Sequence, residues 1–238
     1  MSIGCDDAGT VLFTGYCTPI FPASPERTER FAHPIYRQPP DLVKGEDGEI
    51  LGRRTDDGLL KPFPPRKQIE QSGMLRGLEL YWLESPWDAY VAQVQGSAKL
   101  RLPDGKVVTV GYAASNGLAY TSVRSAMLRD GVLPKGAGLG EMRRYFEAHP
   151  DRGQAYPWMN PRYVFFTPTE GEPRGSLNEP VTVWRSIATD KTVFPRAALT
   201  FIEAELPQAT PAGIVTGPYR GFALDQDGPL TDEEIDAL

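Results

Sequence analysis

Apolar and polar positions alternate most clearly between residues 98 and 112. Ala98, Leu100 and Leu102 alternate with Lys99 and Arg101, the period of two that marks a strand with one wet face. Val107, Val108, Val110 and Tyr112 form the returning strand. Between them, Pro103-Asp104-Gly105 carries turn chemistry: proline fixes φ, aspartate bonds locally and glycine takes φ > 0. Ahead of this hairpin, residues 91–94 (VAQV) are short, apolar and β-branched, and predict another strand. That strand would end in a polar, small-residue corner, Gln95-Gly96-Ser97. A plain β-meander accounts for the hairpin but not for the corner, where glycine lets backbone or ligand approach closely.

The pattern elsewhere is choppier. Residues 9–13 (GTVLF) and 163–166 (YVFF) predict strands, and 31–39 (FAHPIYRQP) an extended piece in which Pro34 and Pro39 exclude helix. Residues 24–30 are charged and polar and predict a surface loop. Residues 41–65 are polar, with Gly and Pro, and predict a long excursion with little regular structure. Residues 66–72 predict a short helix stopped by Gly73, while 75–83 fit neither period cleanly. Ser85-Pro86 offers an N-cap followed by proline at the first helical position, so residues 87–90 begin helically. Val123, Ala126 and Met127 share one helix face before Gly131, and Met142, Tyr145 and Phe146 another before Pro150. A polar, linker-like run over 167–179 leads to short strand candidates at 181–183, 186–188, 198–202 and 219–224. The acidic end, GPLTDEEIDAL, predicts one helical turn in which Thr231 and Glu234 form a capping box.

Composition narrows the function classes. A chain of 238 residues with 40% hydrophobic content can build one large core or two small ones. Its 24 glycines and 23 prolines, without any repeat, predict many turns and a β-rich protein. The net charge of −6 and the lack of a Lys/Arg cluster argue against a nucleic-acid partner. Cys5 and Cys17 are too few for a disulfide framework or a zinc site, and His33 and His149 stand alone, so neither metal nor cofactor is expected. No apolar run reaches transmembrane length. Cys5 has no apolar run before it, so membrane anchoring is not expected to be encoded in this chain, and the bare start points to an upstream segment. A monomer is expected. Trp82, Trp87, Trp158 and Trp184 are expected in the core.

No Gly-rich phosphate loop is present, and two isolated histidines do not build a Ser-His-Asp set. Among 31 Asp and Glu residues, Asp190 and Asp227 each follow an apolar strand candidate. An aspartate there is a turn former or an acid at a barrel rim, and burial would raise its pKa toward neutrality.

Several motifs in series resemble one family. TGYCTP (14–19), HPIYRQP (33–39), VQGSAKLRLPDG (94–105), VGYAASNGLAYTS (110–122) and NPRYVFF (160–166) are similar to the membrane-bound lytic murein transglycosylase A family. PVTVWRSIATDKTVFPRAALTF (180–201) and FALDQD (222–227) resemble its C-terminal barrel segment. The resemblance implies a mainly β fold with a few short helices. In it, a β-rich inserted domain (10–165) stands next to a partial double-psi β-barrel (166–238), truncated at its C-terminus. It implies cleavage of the MurNAc–GlcNAc β-1,4 bond of peptidoglycan with formation of 1,6-anhydromuramic acid, in the bacterial cell envelope, with glycan strands as the partner. It places Asp227 at the catalytic position, with Asp225 as the local rival, and Asp190 at a second acidic position of the barrel. Tyr16, Thr18, Gln95, Gly96 and Ser97 match motifs of the glycan cleft. The sequence departs from the family at Cys17, where tyrosine is expected, and at Ala114, Arg124 and Ala197, where glycine is expected; the Gly-Gly turn after Asp227 is missing. A non-catalytic glycan-binding module is the alternative function.

Overall fold

The computed structural model describes residues 18–46, 48–150, 154–171, 174–175, 177, 179–189, 194–210 and 213–225. Among them the chain is mainly β, with short helices, and divides into two compact units on either side of residues 173/174.

The first unit contains β1 (Ile20–Ser24), β2 (His33–Tyr36), β3 (Leu42–Lys44), β4 (Ile50–Arg54), β5 (Leu60–Lys61), α1 (Arg66–Ser72), β6 (Glu79–Leu83), α2 (Pro86–Gln95), β7 (Ala98–Arg101), β8 (Val107–Ser115), α3 (Val123–Arg129), α4 (Leu139–Ala148) and β9 (Val164–Thr169). Its main sheet runs β2-β6-β1-β7-β8-β9, and a bridge between Arg37 and Phe166 ties its two outer strands together. The sheet therefore curls on itself. The first half of β9, Val164 to Phe166, is buried on both faces. Val164 and Phe166 pack into one core with Leu100, Val110, Trp87 and Met127, while Tyr163 and Phe165 pack into another with Phe63, Ile69 and Leu75. Burial on both faces is why YVFF reads as an unbroken apolar run.

The predicted hairpin is present as β7 and β8, with Ala98 opposite Val110 and Arg101 opposite Val107. Gly105 has φ 85, and Asp104 Oδ1 accepts the Lys106 N–H at 2.9 Å. The predicted helix at 66–72 is α1, stopped by Gly73 at φ 65. The two later helices are α3 and α4.

Several expectations are corrected. Residues 91–94 are not a strand but the last turns of α2. Ser85 caps this helix by accepting the Asp88 N–H at 3.0 Å, Pro86 opens it, and Gly96 closes it at φ 72. Trp87, Tyr90, Val91 and Val94 are spaced at i, i+3, i+4 and i+7, a helical set that the short window VAQV hides. Residues 41–65 are not irregular: β3, β4 and β5 form a small antiparallel sheet. Gly52 of β4 has φ 137 and lies against the Lys61 backbone, too close for any side chain. Residues 181–183 form no strand.

The second unit has β10 (Ser186–Ile187), β11 (Leu199–Thr210) and β12 (Gly213–Asp225), in the order β10-β12-β11. The short candidates at 198–202 and 219–224 are thus parts of one long antiparallel hairpin, in register from Leu199–Leu224 to Thr210–Gly213. Ala197, at a position where the family resemblance calls for glycine, has φ 65, in the left-handed region that disfavours a side chain. Trp184 is exposed rather than in a core, and only Trp87 of the four tryptophans is buried.

Candidate functional site

The corner that follows α2 is the most specific polar feature of the first unit. The Gly96 N–H donates to the Ala92 carbonyl at 2.9 Å, and the positive φ of Gly96 turns the chain directly from helix into β7. Gln95 and Ser97 on either side are both buried. Among the described residues, neither polar atom of the Gln95 side chain has a hydrogen-bond partner. A buried amide left this way costs about 1–3 kcal/mol, so its retention calls for an explanation such as a water or a ligand.

Thr18 joins this corner through strand pairing. Parallel β1 and β7 set Ile20 against Lys99, and the Lys99 N–H donates to the Pro19 carbonyl at 2.8 Å. The same register carried back two residues puts Thr18 level with Ser97. Tyr112 of β8 lies beside Gly96: a Cβ placed on that glycine would meet the Tyr112 Cβ at 4.0 Å. The Tyr112 side chain is 51% exposed. An exposed aromatic side chain at a corner of small and polar residues suits a ligand with an apolar face and polar edges. Tyr112 was legible only as the end of an alternating strand; it shares the parity of the buried Val110, so VVTVGY carried no signal of its exposure.

A clasp behind the corner holds β8 in place. Asn116 Nδ2 donates to the carbonyls of Pro64 and Pro161, both at 2.9 Å, and its Oδ1 accepts the Tyr163 N–H at 2.9 Å. Gly117 follows at φ 77, with no room for a side chain against Ile50. At the other end of α2, Asp88 is buried with Arg143 at 3.5 Å. Burial raises the Asp88 pKa, against the pull of Arg143 and the Ser85 hydrogen bond.

Of the sequence-predicted site residues, Thr18, Gln95, Gly96 and Ser97 come together in this unit. Tyr16, Asp190 and Asp227 lie outside the described residues. In the second unit, Asp225 is fully buried at the end of β12, its N–H donating to the Ala198 carbonyl at 2.9 Å. Among the described residues no cluster of His, Cys, Asp or Glu is arranged to hold a metal ion, and no helix is long and apolar enough to cross a membrane.

Residues 12–167 match the family model of the MltA specific insert domain. The membrane-bound lytic murein transglycosylase A of Escherichia coli K12 is 29% identical over 240 residues, covering 98% of this chain and 60% of that protein. The Vibrio cholerae protein of the same name is 27% identical over 242 residues, with 98% and 60% coverage. A membrane-bound lytic murein transglycosylase from Agrobacterium tumefaciens superposes with a TM-score of 0.77 at 27% identity, covering 88% of this chain and 61% of that one. Escherichia coli MltA solved with bound chitohexaose gives a TM-score of 0.71 at 25% identity, with 90% and 60% coverage. The chain thus spans about 60% of the length of the curated relatives it matches.

Proposed function

Because the chain belongs to the MltA family of lytic murein transglycosylases, matched through the insert domain over residues 12–167, we propose that it binds peptidoglycan glycan strands at the Thr18/Gln95–Ser97 corner. We propose further that it takes part in cleaving the MurNAc–GlcNAc β-1,4 bond. The observation that supports glycan binding is the exposed Tyr112 ring beside Gly96, in a corner whose buried Gln95 amide has no hydrogen-bond partner among the described residues. The ring offers its face to the C–H side of a pyranose, and the amide offers one donor and one acceptor to an N-acetyl group. In this proposal residues 10–165 are the inserted glycan-binding domain and 166–238 part of a double-psi barrel.

The reaction needs one carboxyl group, assigned to Asp227. Its acid form gives a proton to the glycosidic oxygen as the C1–O bond breaks. The resulting carboxylate takes the proton of the muramic acid C6 hydroxyl, whose oxygen bonds to C1 and closes the 1,6-anhydro ring. The tethered nucleophile supplies a high effective concentration, so neither water nor the second carboxylate of the hydrolases is required. Asp190 is proposed as a second acidic group of the same barrel, and the bacterial envelope as the place of action.

A glycan-binding module without catalysis is the second reading, favoured by Ala197 at φ 65 in the second unit. Muropeptide analysis after incubation with murein sacculi tests the choice. Catalysis predicts 1,6-anhydromuropeptides from the parent chain and none from Asp227→Asn, which keeps glycan binding. Sacculus binding without anhydro products supports the second reading. Loss of activity in Asp225→Asn with full activity in Asp227→Asn moves the role to Asp225.

A further inference from the structure

A cavity of about 390 Å³ opens between α1, α2, α4 and β2, and none of its lining residues belongs to the Gln95–Ser97 corner. That volume is at the small end of ligand pockets and has room for one or two sugar rings. One wall is aromatic. Trp87 stacks on Phe146 with ring centroids 4.6 Å apart, and Tyr90 stands 5.6 Å from Trp87.

The charges around the cavity are already matched. Arg66, buried at 2% exposure, donates to the carbonyls of Asn160 (3.2 Å) and Arg162 (2.7 Å) and to Glu70 (3.3 Å), between the rings of Tyr90 and Tyr163. Glu70 accepts two more bonds, from Gln154 and Trp158, each at 2.7 Å. Glu147 is bound by Arg143 at 2.9 Å. Burial, with Arg27 nearby, lowers the His33 pKa and so favours its neutral form. An anion or a cation entering the cavity finds no counter-charge to spare.

Polar groups of the lining are unspoken for among the described residues, the buried Tyr90 hydroxyl being one of them. The Tyr36 hydroxyl and the His33 ring make no hydrogen bond to any described residue, and a β-bulge between Ile35 and Tyr36 breaks the alternation of β2 beside them. Bulges re-aim side chains near sites. A purely apolar ligand would leave both groups unmatched.

We propose that this cavity is a second saccharide subsite, which takes one or two neutral pyranose residues on the Trp87 wall, with Tyr36 and His33 bonding their hydroxyls. The choice of an amino sugar as probe rests on the proposed function; the neutrality and the aromatic wall do not.

The test is an NMR titration of the full chain with N,N′-diacetylchitobiose, reading the amide signals of Ala89, Gln93 and Glu147 separately from those of Gly96 and Ser97. The expected result is saturable shifts at the first set, weakened about five- to tenfold in Tyr36→Phe, as for one lost hydrogen bond. His33→Gln gives a second variant that spares the core. Shifts at Gly96 and Ser97 keep the parent affinity in both variants, and their absence counts against the glycan corner rather than the cavity. Unmoved Ala89, Gln93 and Glu147 signals at saturation overturn the subsite. Unchanged affinity in both variants, or tighter binding of p-cresol than of chitobiose, also overturns it.

Discussion

Aromatic residues sit differently in the two units. Tyr163, just ahead of β9, and Phe165 and Phe166 within it are each at most 2% exposed. In the second unit, Phe201 and Phe222 face each other across β11 and β12 at 5.1 Å yet are 53% and 54% exposed. Trp184 and Tyr219 stack at 5.4 Å, with Trp184 45% exposed. The first unit adds buried polar clasps, Asn116 and Arg66, that bond backbone carbonyls far away in sequence. The second is held mainly by one backbone ladder and exposed pairs such as Arg220–Glu203. Apolar burial carries most of a fold's stability, and exposed ion pairs contribute little. The first unit therefore stands on its own core, whereas the described residues of the second expose several large apolar side chains, and such faces mark surfaces that bind something.

Core truncation should separate the units most. Leu100→Ala, at a fully buried site of the main sheet, should cost about 3 kcal/mol in denaturant unfolding. Phe201→Ser should move the same midpoint by less than about 0.5 kcal/mol, as for an exposed site. A large loss in Phe201→Ser would break the comparison. Next, Asn116→Ala strands two carbonyls and one N–H and should cost about 2 kcal/mol, read in the same assay. Hydrogen exchange should be slower at residues 91–94 and 107–110 than at 219–224; equal or reversed protection contradicts the contrast.

The smallest effect is a pH slope. Burial raises the Asp88 pKa, so the folded chain holds this proton to higher pH than the unfolded chain does. Between the ordinary aspartate pKa and the raised one, the Asp88 contribution to stability falls as pH rises. Asp88→Asn should flatten that slope, as followed by unfolding midpoints across the acid range.

The hairpin, the helix stops and the strand at 163–166 were legible because turn chemistry and period agree with the tertiary packing there. The last turns of α2 were not, because four residues with two valines mimic a strand, and the helical spacing shows only when Trp87 and Tyr90 are counted with them. The sheet of residues 42–61 was hidden because its strands are short and largely exposed, so they carry little apolar pattern. The Gln95–Ser97 corner was visible as an anomaly of composition. What it lacked in sequence was Tyr112, which strand pairing, not proximity in the chain, brings to Gly96. The clasp of Asn116 was equally invisible, since its partners Pro64 and Pro161 lie far away along the chain.

The Gln95 side-chain amide reports most directly on the proposed glycan binding at the corner. With chitohexaose added to saturation, its NH₂ resonances should shift and exchange more slowly with water, as an unpartnered amide gains a ligand bond. Gln95 resonances unmoved at saturation, with shifts gathered on a remote face, would contradict the account.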